Sequence, residues 1–205
     1  SIYVPSLPPP ASSPRPATPK PHITSFVTYD QTPSAGCYGS PDIQTPHLDA
    51  LAAEGTRFTH AFATTASCSA SRSVILSGLH NHRNGQYGHT HAFHKFSSFP
   101  SVMAVSLPLQ MSQSGYRTVQ IGKYHVAPEA VFHFDQRLRG DGRNAREMAE
   151  RCRSVFTDES ERPFFIYFCT SDPHRGGGKD KTSTLEYKPD LFGNRPNKGA
   201  HKGIE

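Results

Sequence analysis

The feature that most constrains the fold is the longest apolar run of the chain, six residues from Phe164 to Cys169. Six residues is the length of a buried strand, and it falls far short of the roughly 18 apolar residues that a membrane helix needs. The pair Arg162-Pro163 precedes the run, and polar residues follow it at 170–172. The sequence therefore predicts a fully buried strand here and excludes a membrane-spanning helix.

Short strand and helix patterns alternate along the chain. Strands are expected at 23–28, 57–62, 116–121 and 164–169, and helices at 45–55, 69–77, 107–114 and 144–156. This alternation predicts an α/β fold with a largely parallel sheet flanked by helices. In such sheets functional sites form at the carboxyl ends of the strands, so the residues that follow each strand are the candidates for a site.

The ends of two helices carry specific signals. Thr45 and Pro46 are a typical N-cap and first helical residue, and Gly55 is a typical stop. Asn144 and Glu147 have the spacing of a capping box. The predicted apolar faces consist of Leu48, Leu51 and Ala52 in the first helix, and of Met148, Cys152, Val155 and Phe156 in the last.

The two ends of the chain differ in composition from the middle. Residues 1–21 hold eight of the 18 prolines and no acidic residue, which predicts a proline-rich, disordered lead-in. Residues 176–205 are rich in Lys, Asn, Gly and Pro, and we expect a loop or a disordered tail. The ordered domain is therefore expected at 22–175.

Charge and cysteine content argue against several classes of protein. The net charge of +5 is scattered along the chain, whereas a nucleic-acid-binding protein carries a clustered basic face. We therefore expect no nucleic-acid partner. The four cysteines include no CxxC pair, which argues against a zinc finger, and they are too few for a disulfide scaffold.

Polar side chains follow three of the predicted strands. These groups are Tyr29-Asp30, then Lys123 with His125, and finally Asp172 with His174 and Arg175. A lysine and an imidazole suit an anionic substrate and acid–base chemistry, and a carboxylate suits a hard cation. Each group alone also fits an ordinary turn or surface loop. Their occurrence at several strand ends indicates a site.

A fourth group, Cys68-Ser69-Ala70-Ser71-Arg72, places a cysteine at the start of a predicted helix and an arginine four residues later. The amides of a helix N-terminus and a guanidinium both favour an anion at that position. Taken alone, these five residues fit a buried and inert cysteine better.

Together the four groups resemble the sulfatase family. Residues 68–72 look like its C-x-[PA]-x-R motif, and GYRTVQIGKYH at 115–125 looks like its second signature. Further similar stretches are TPHLDALAAEGTRFTHAFAT at 45–64 and RPFFIYF with DPHR within 162–175, so the resemblance covers about residues 23–175. Three stretches are similar to the sulfamidase (heparan N-sulfatase) branch of the family: NGQYG at 84–88, SLPLQMSQSGYRT at 106–118 and IGKYHVAPEAVFHFD at 121–135.

The resemblance implies an alkaline-phosphatase-like fold that is incomplete at its carboxyl end, and hydrolysis of sulfate esters or sulfamates of sugars. In the family the motif cysteine is oxidised to formylglycine, whose hydrate attacks sulfur. Cys68 would be the precursor of that nucleophile, and Arg72 would hold the hydrate and offset its negative charge.

The same resemblance implies roles for the residues at the strand ends. Lys123 and His174 would contact the sulfate oxygens, and His125 would orient or deprotonate a hydroxyl group of the nucleophile. Asp172 and Arg175 are expected to take part in substrate binding.

The resemblance also implies calcium, which the family binds with two consecutive aspartates after the first strand, a later Asp–Asn pair and an oxygen of the formylglycine. Asp30 matches the second aspartate, but Tyr29 stands at the position of the first, and the chain contains no Asp-Asn dipeptide. Calcium takes about six to eight oxygen ligands. Asp30 and the modified Cys68 are too few, so we expect weak calcium binding or none.

The resemblance implies a sulfated sugar as substrate and a formylglycine-generating maturation enzyme as partner. Family members are lysosomal, secreted or periplasmic, but this chain shows no recognisable signal segment. We expect the chain to be an amino-terminal fragment or an impaired paralogue.

Two alternatives stay open. A catalytically inactive pseudo-sulfatase that binds sulfated glycans is favoured by Tyr29. A phosphatase or phosphodiesterase of the same superfamily is disfavoured, because those enzymes usually carry Ser or Thr where Cys68 stands. The loop at 80–100 would form either a pocket wall or a solvated loop; its candidate residues are His89, His91, Phe93 and His94.

Overall fold

The computed structural model describes residues 19–29, 31–91, 95–160 and 162–174. Most of the predicted lead-in and all of the predicted tail lie outside the described residues. The strands are β1 (Ile23–Val27), β2 (Arg117–Gly122), β3 (Gln136–Leu138) and β4 (Phe164–Cys169). The helices are α1 (Pro46–Glu54), α2 (Cys68–Ser77), α3 (Asn81–Asn84), α4 (Leu107–Gln113), α5 (Ala145–Arg151) and α6 (Arg153–Phe156). Short 3-10 turns lie at Gly36–Tyr38 and Pro100–Val105.

The sheet is parallel throughout and has the order β1-β4-β2-β3. The apolar run β4 lies between β1 and β2, and all six of its residues are buried, as the sequence predicts. Parallel sheets of this kind are covered on both faces, which is why a central strand reads as a continuous apolar run. The predicted α/β fold is therefore confirmed.

The two faces of β4 support separate halves of the core, because successive side chains of a strand point to opposite faces. Phe165, Tyr167 and Cys169 pack with Leu76 of α2 and with a group of aromatic and aliphatic residues around Phe132. The side chains on the other face of β4 pack against α5, α6 and the buried residues of β2 on that same face. This second half of the core consists of Val119, Ile121, Met148, Cys152, Val155, Phe164, Ile166 and Phe168. Helix α2 is thus held on one face of the sheet, with its first residue toward the strand ends.

Two local predictions about residues 45–62 are wrong. The expected strand at 57–62 is absent, and every residue in that range is exposed. Helix α1 begins and ends as predicted, but it contains no buried residue, and Leu51 is 64% exposed. The contacts of α1 explain the exposure of its apolar residues. Asp49 accepts a hydrogen bond from the Cys37 amide at 2.7 Å, so α1 packs a polar side chain against the 3-10 turn at Gly36–Tyr38.

The other helix signals agree with the structure, with one exception. Gly78 ends α2 with a φ of 66°, the left-handed conformation that glycine permits. Met148, Cys152 and Val155 are buried as expected, whereas Phe156 is 54% exposed and makes a T-shaped contact with the Phe164 ring. In the described part of the chain, no helix combines the length and the apolar character that crossing a membrane requires.

Half of the predicted capping box is present, since the Asn144 amide donates to the Asp141 carbonyl and not to Glu147, and the N-cap bond yields a stability test. The Glu147 amide donates a hydrogen bond to Oδ1 of Asn144 at 2.9 Å. Replacing Asn144 by Ala leaves this amide without its partner, so we expect the free energy of unfolding to fall by about 1 kcal/mol. Urea denaturation of Asn144→Ala measures the loss. Asn144→Asp, which keeps the acceptor, is the matched control and should stay within a few tenths of the parent.

Candidate active site

The carboxyl ends of β1, β4 and β2 lie side by side because the strands pair in register. Val27 pairs with Cys169, which also pairs with Gly122. Backbone hydrogen bonds continue past the strands: the Thr170 amide donates to the Val27 carbonyl at 3.1 Å, and the Lys123 amide donates to the Cys169 carbonyl at 2.9 Å. The loops that follow the three strands are therefore fixed against one another.

An open pocket of about 540 Å³ lies at these strand ends. It is lined by Tyr29, Gly122, Lys123, His125, Gly140, Gly142, Arg143, Ser171 and His174. Gly122 has a φ of 79°, and a Cβ there would lie 2.0 Å from the Cys169 carbonyl oxygen, so the backbone approaches too closely for any other residue. The volume is within the range of small-molecule sites.

Cys68 is the first residue of α2 and is half-buried. One turn later, Arg72 is 3% exposed, and its guanidinium donates to the Lys123 carbonyl at 3.0 Å. This bond joins α2 to the loop that carries Lys123 and His125. The buried guanidinium and the amides of the helix N-terminus make the surroundings of Cys68 electropositive.

Three imidazoles meet beside Cys68. The Sγ of Cys68 lies 3.3 Å from Nδ1 of His89, and Nδ1 of His91 lies 2.6 Å from Nε2 of His125. The rings of His89 and His125 stack with their centroids 5.7 Å apart. The sequence predicted His125 in the site and gave His89 and His91 only as wall residues, since nothing in a linear sequence shows that the loop folds back onto α2.

Burial lowers the pKa of His125 from its ordinary 6.5 to about 4. Nearby basic residues act in the same direction; in decreasing order of effect they are Lys123, His91, His89 and Arg72. His125 is therefore neutral at physiological pH. A neutral imidazole can accept a proton, which is the property that the predicted acid–base role requires.

Tyr29 occupies the centre of the strand-end cluster. The Nζ of Lys123 lies 3.0 Å from the centroid of its ring, and the ring of His174 stacks on it at 3.9 Å. The guanidinium of Arg72 lies 5.8 Å from the same centroid. An aromatic face surrounded by cations is favourable through cation–π attraction. Tyr29 thus holds the side chains that the sequence assigned to sulfate contact.

The described residues do not fit a calcium ion at this place. Calcium requires a set of oxygen ligands, and Tyr29 presents its ring to Lys123 and His174 where the family resemblance implies a carboxylate. Asp172, the nearby buried acid, is paired with Arg143. Asp30 lies outside the described residues. In the described ranges, the group that could hold a metal is Cys68, His89 and His125, whose sulfur and nitrogen atoms do not suit calcium.

At the edge of the pocket, the buried carboxylate of Asp172 forms an ion pair with the half-buried Arg143. Burial raises the pKa of Asp172, and Arg143 opposes the rise. Arg143 also donates to the His174 carbonyl at 3.1 Å. Asp172 therefore positions Arg143 and the backbone at His174. Arg143 lines the pocket but was not predicted from the sequence. The polar segment 139–143 could have indicated it, but this segment follows β3, which is too short to be recognised as a strand from its sequence.

The structure brings Lys123, His125 and His174 to one pocket, with Cys68 and Arg72 beside it. Arg175, Phe93 and His94 lie outside the described residues.

A family model described as Sulfatase matches residues 26–194. N-sulphoglucosamine sulphohydrolase of Homo sapiens is 43% identical over 150 residues, which are 70% of this chain and 30% of that protein. The ulvan-active sulfatase of Formosa agariphila is 30% identical over 160 residues, again 30% of its own length. The chain thus spans about a third of the curated relatives that it matches and corresponds to the amino-terminal part of a larger sulfatase.

Solved structures agree with this match. The complex of BT4656 with its substrate D-glucosamine-2-N,6-O-disulfate has a TM-score of 0.58 and 25% identity, over 76% of this chain and 35% of that one. The yidJ protein of Bacteroides fragilis has a TM-score of 0.64 over 93% of this chain and 54% of that one; at 16% identity it supports the fold alone.

The low pKa of His125 makes the stability of the chain depend on pH. The unfolded chain binds a proton at this residue below about pH 6.5, but the folded chain does so only below about pH 4. Stability from this residue is therefore lost as pH falls through that window. Urea midpoints at pH 7 and pH 4.5 measure the loss, and His125→Gln should reduce the difference between them. His133→Gln, at an exposed position, is the control; an equal reduction there would contradict the assignment.

Proposed function

Because the chain belongs to the sulfatase family, we propose that it forms the nucleophile-bearing part of a hydrolase that cleaves sulfate esters or sulfamates of sugars. The observation that carries the proposal is the convergence at the strand ends. Cys68 stands at the start of α2, Lys123, His125 and His174 line the pocket, and Arg72 bonds to the Lys123 carbonyl beside it. The sequence motifs name these five residues too, which supports the proposal.

Sulfatases generally depend on formylglycine and a divalent metal. Cys68 fits as the precursor of formylglycine: it is half-buried, follows an extended residue at the helix start and lies beside the rings of His89 and His125. Formylglycine made from Cys68 would supply a hydrated aldehyde as the nucleophile toward sulfur. No step is assigned to calcium, because the described residues offer no oxygen cluster for it.

The remaining side chains bind the sulfuryl group and transfer protons. Lys123 and His174 flank Tyr29 and line the pocket, so a sulfate group bound there would meet the Lys123 ammonium and the His174 ring. Arg72 holds a fixed positive charge next to Cys68 that stabilises negative charge developing there. His125, neutral through its lowered pKa, is the group placed to accept a proton beside Cys68.

A sulfated amino sugar is the proposed substrate class. The human relative is named for hydrolysis of N-sulphoglucosamine, and the BT4656 structure contains a glucosamine carrying N- and O-sulfates. The pocket has a volume suited to a monosaccharide and carries cationic side chains for the sulfate. A formylglycine-generating enzyme is the implied maturation partner.

A pseudo-sulfatase is the second candidate, and Tyr29 is the observation that favours it. Its aromatic ring fills the position where the family resemblance implies a metal-binding carboxylate, while Lys123 and Arg72 beside it keep the surroundings positively charged, which favours an anion. Such a protein would bind a sulfated sugar without cleaving it.

Mass spectrometry of protein purified from its native host tests the hydrolase proposal. The peptide that contains Cys68 should carry the mass change of thiol-to-aldehyde conversion, because the motif is intact. The same preparation should hydrolyse glucosamine N-sulfate or 6-O-sulfate, and Cys68→Ala should lower the rate by about 10³-fold or more, since it removes the nucleophile. Cys37→Ala, at a cysteine beside α1, is the matched control.

An unmodified thiol, in a host that matures other sulfatases, would contradict the hydrolase. Sugar binding that persists with that unmodified thiol, without hydrolysis, would establish the pseudo-sulfatase instead.

A further inference from the structure

In its thiol form, Cys68 lies within a set of ligands suited to a soft or borderline metal ion. Its Sγ and one ring nitrogen each of His89 and His125 all lie within 4.8 Å of one another, and the three residues are half-buried. Thiolate and imidazole are the ligands that zinc prefers, whereas calcium prefers oxygen. We propose that the chain, before conversion of Cys68, binds Zn²⁺ through Cys68, His89 and His125.

The spacing is close to that of a zinc site. Zinc–sulfur and zinc–nitrogen bonds of about 2.3 and 2.0 Å place neighbouring tetrahedral ligands about 3.5 Å apart. The Sγ of Cys68 already lies 3.3 Å from Nδ1 of His89. The ring nitrogen of His125 lies within 4.8 Å of the other two ligand atoms. A side-chain movement on the order of 1 Å therefore brings it to bonding distance from the ion.

Neighbouring groups orient both histidines. When Nδ1 of His89 binds the ion, its Nε2 faces the Ser67 hydroxyl at 3.5 Å. The Nε2 of His125 lies 2.6 Å from Nδ1 of His91, while its own Nδ1 is buried and has no hydrogen-bond partner in the described part of the chain. That nitrogen is available to a metal ion. Partners on the far ring nitrogen fix the orientation of metal-binding histidines.

The charge around the site makes the thiolate indispensable. Arg72 and Lys123 are both near enough to His125 to lower its affinity for protons, and they oppose a divalent cation in the same way. Binding releases the Cys68 proton to solvent, and the resulting thiolate offsets one charge of the ion. Three protein ligands leave the fourth tetrahedral position to water from the adjoining pocket.

Zinc binding and formylglycine cannot coexist, because conversion of Cys68 removes the sulfur ligand. The site therefore belongs to the immature chain, and it does not depend on hydrolysis. A chain that never hydrolyses sulfate would still bind zinc, so the two proposals can fail separately.

Titration of the thiol-form protein with Zn²⁺ in competition with a chromogenic chelator tests the proposal. Mass spectrometry first establishes that Cys68 is unmodified. We expect one ion per chain, and at least tenfold weaker binding in Cys68→Ser and in His89→Gln. His82→Gln is the matched control, because His82 is exposed and stacks on His80 outside the cluster. It should bind zinc as the parent chain does.

Cobalt provides a readout that does not rely on the folding of a variant. Co²⁺ added to the parent chain should produce the charge-transfer absorption of a cobalt–thiolate bond, and zinc should abolish it. Parent-level zinc affinity in Cys68→Ser, or the absence of the thiolate absorption with Co²⁺, would overturn the proposal. The first of these results would show that the ion does not need the Cys68 sulfur and is held by other ligands.

Discussion

The in-register pairing of the buried strand β4 with β1 and β2 is the constraint on which the site depends. It brings Val27, Gly122 and Cys169 to one level. Because the Lys123 and Thr170 amides then bond across to neighbouring strands, the loops leave the sheet in fixed positions. A one-residue slip would turn each apolar side chain of β4 to the other face and separate the loops. The same strand register therefore determines both the packing of the core and the shape of the pocket.

Positive charge held at low exposure gives this pocket its chemistry. Arg72 is buried beneath the loop that carries Lys123, and the Asp172–Arg143 pair holds a second guanidinium at the rim. Such preorganised charge favours an anion strongly, because it does not reorganise when the anion arrives. Burial lowers the pKa of His125, and Lys123 and Arg72 act in the same direction. Tyr29 keeps the cations apart with an aromatic face instead of a carboxylate, and this disfavours a hard cation.

Local signals in the sequence predicted much of this arrangement. Neighbouring residues were enough to predict the apolar run 164–169 and the glycine stop of α2, whereas Cys68 and Lys123 were predicted only because several polar groups together resemble a family pattern. The errors concern tertiary packing. The pattern at 57–62 resembled a strand but has no strand partner among the described residues, and the apolar stripe of α1 lies exposed. Arg143 and the contact of His89 with Cys68 depend on distant segments, which periodicity does not reveal.

The most direct test of the account is an NMR titration of the chain with inorganic sulfate. It asks whether the strand ends form one anion site. The account predicts saturable shifts of backbone amides at Lys123, Gly142 and Ser171, which line the pocket, and loss of saturation in Arg72→Gln. Shifts that stay linear with concentration, or that spread over exposed lysines and arginines without these amides, would contradict it.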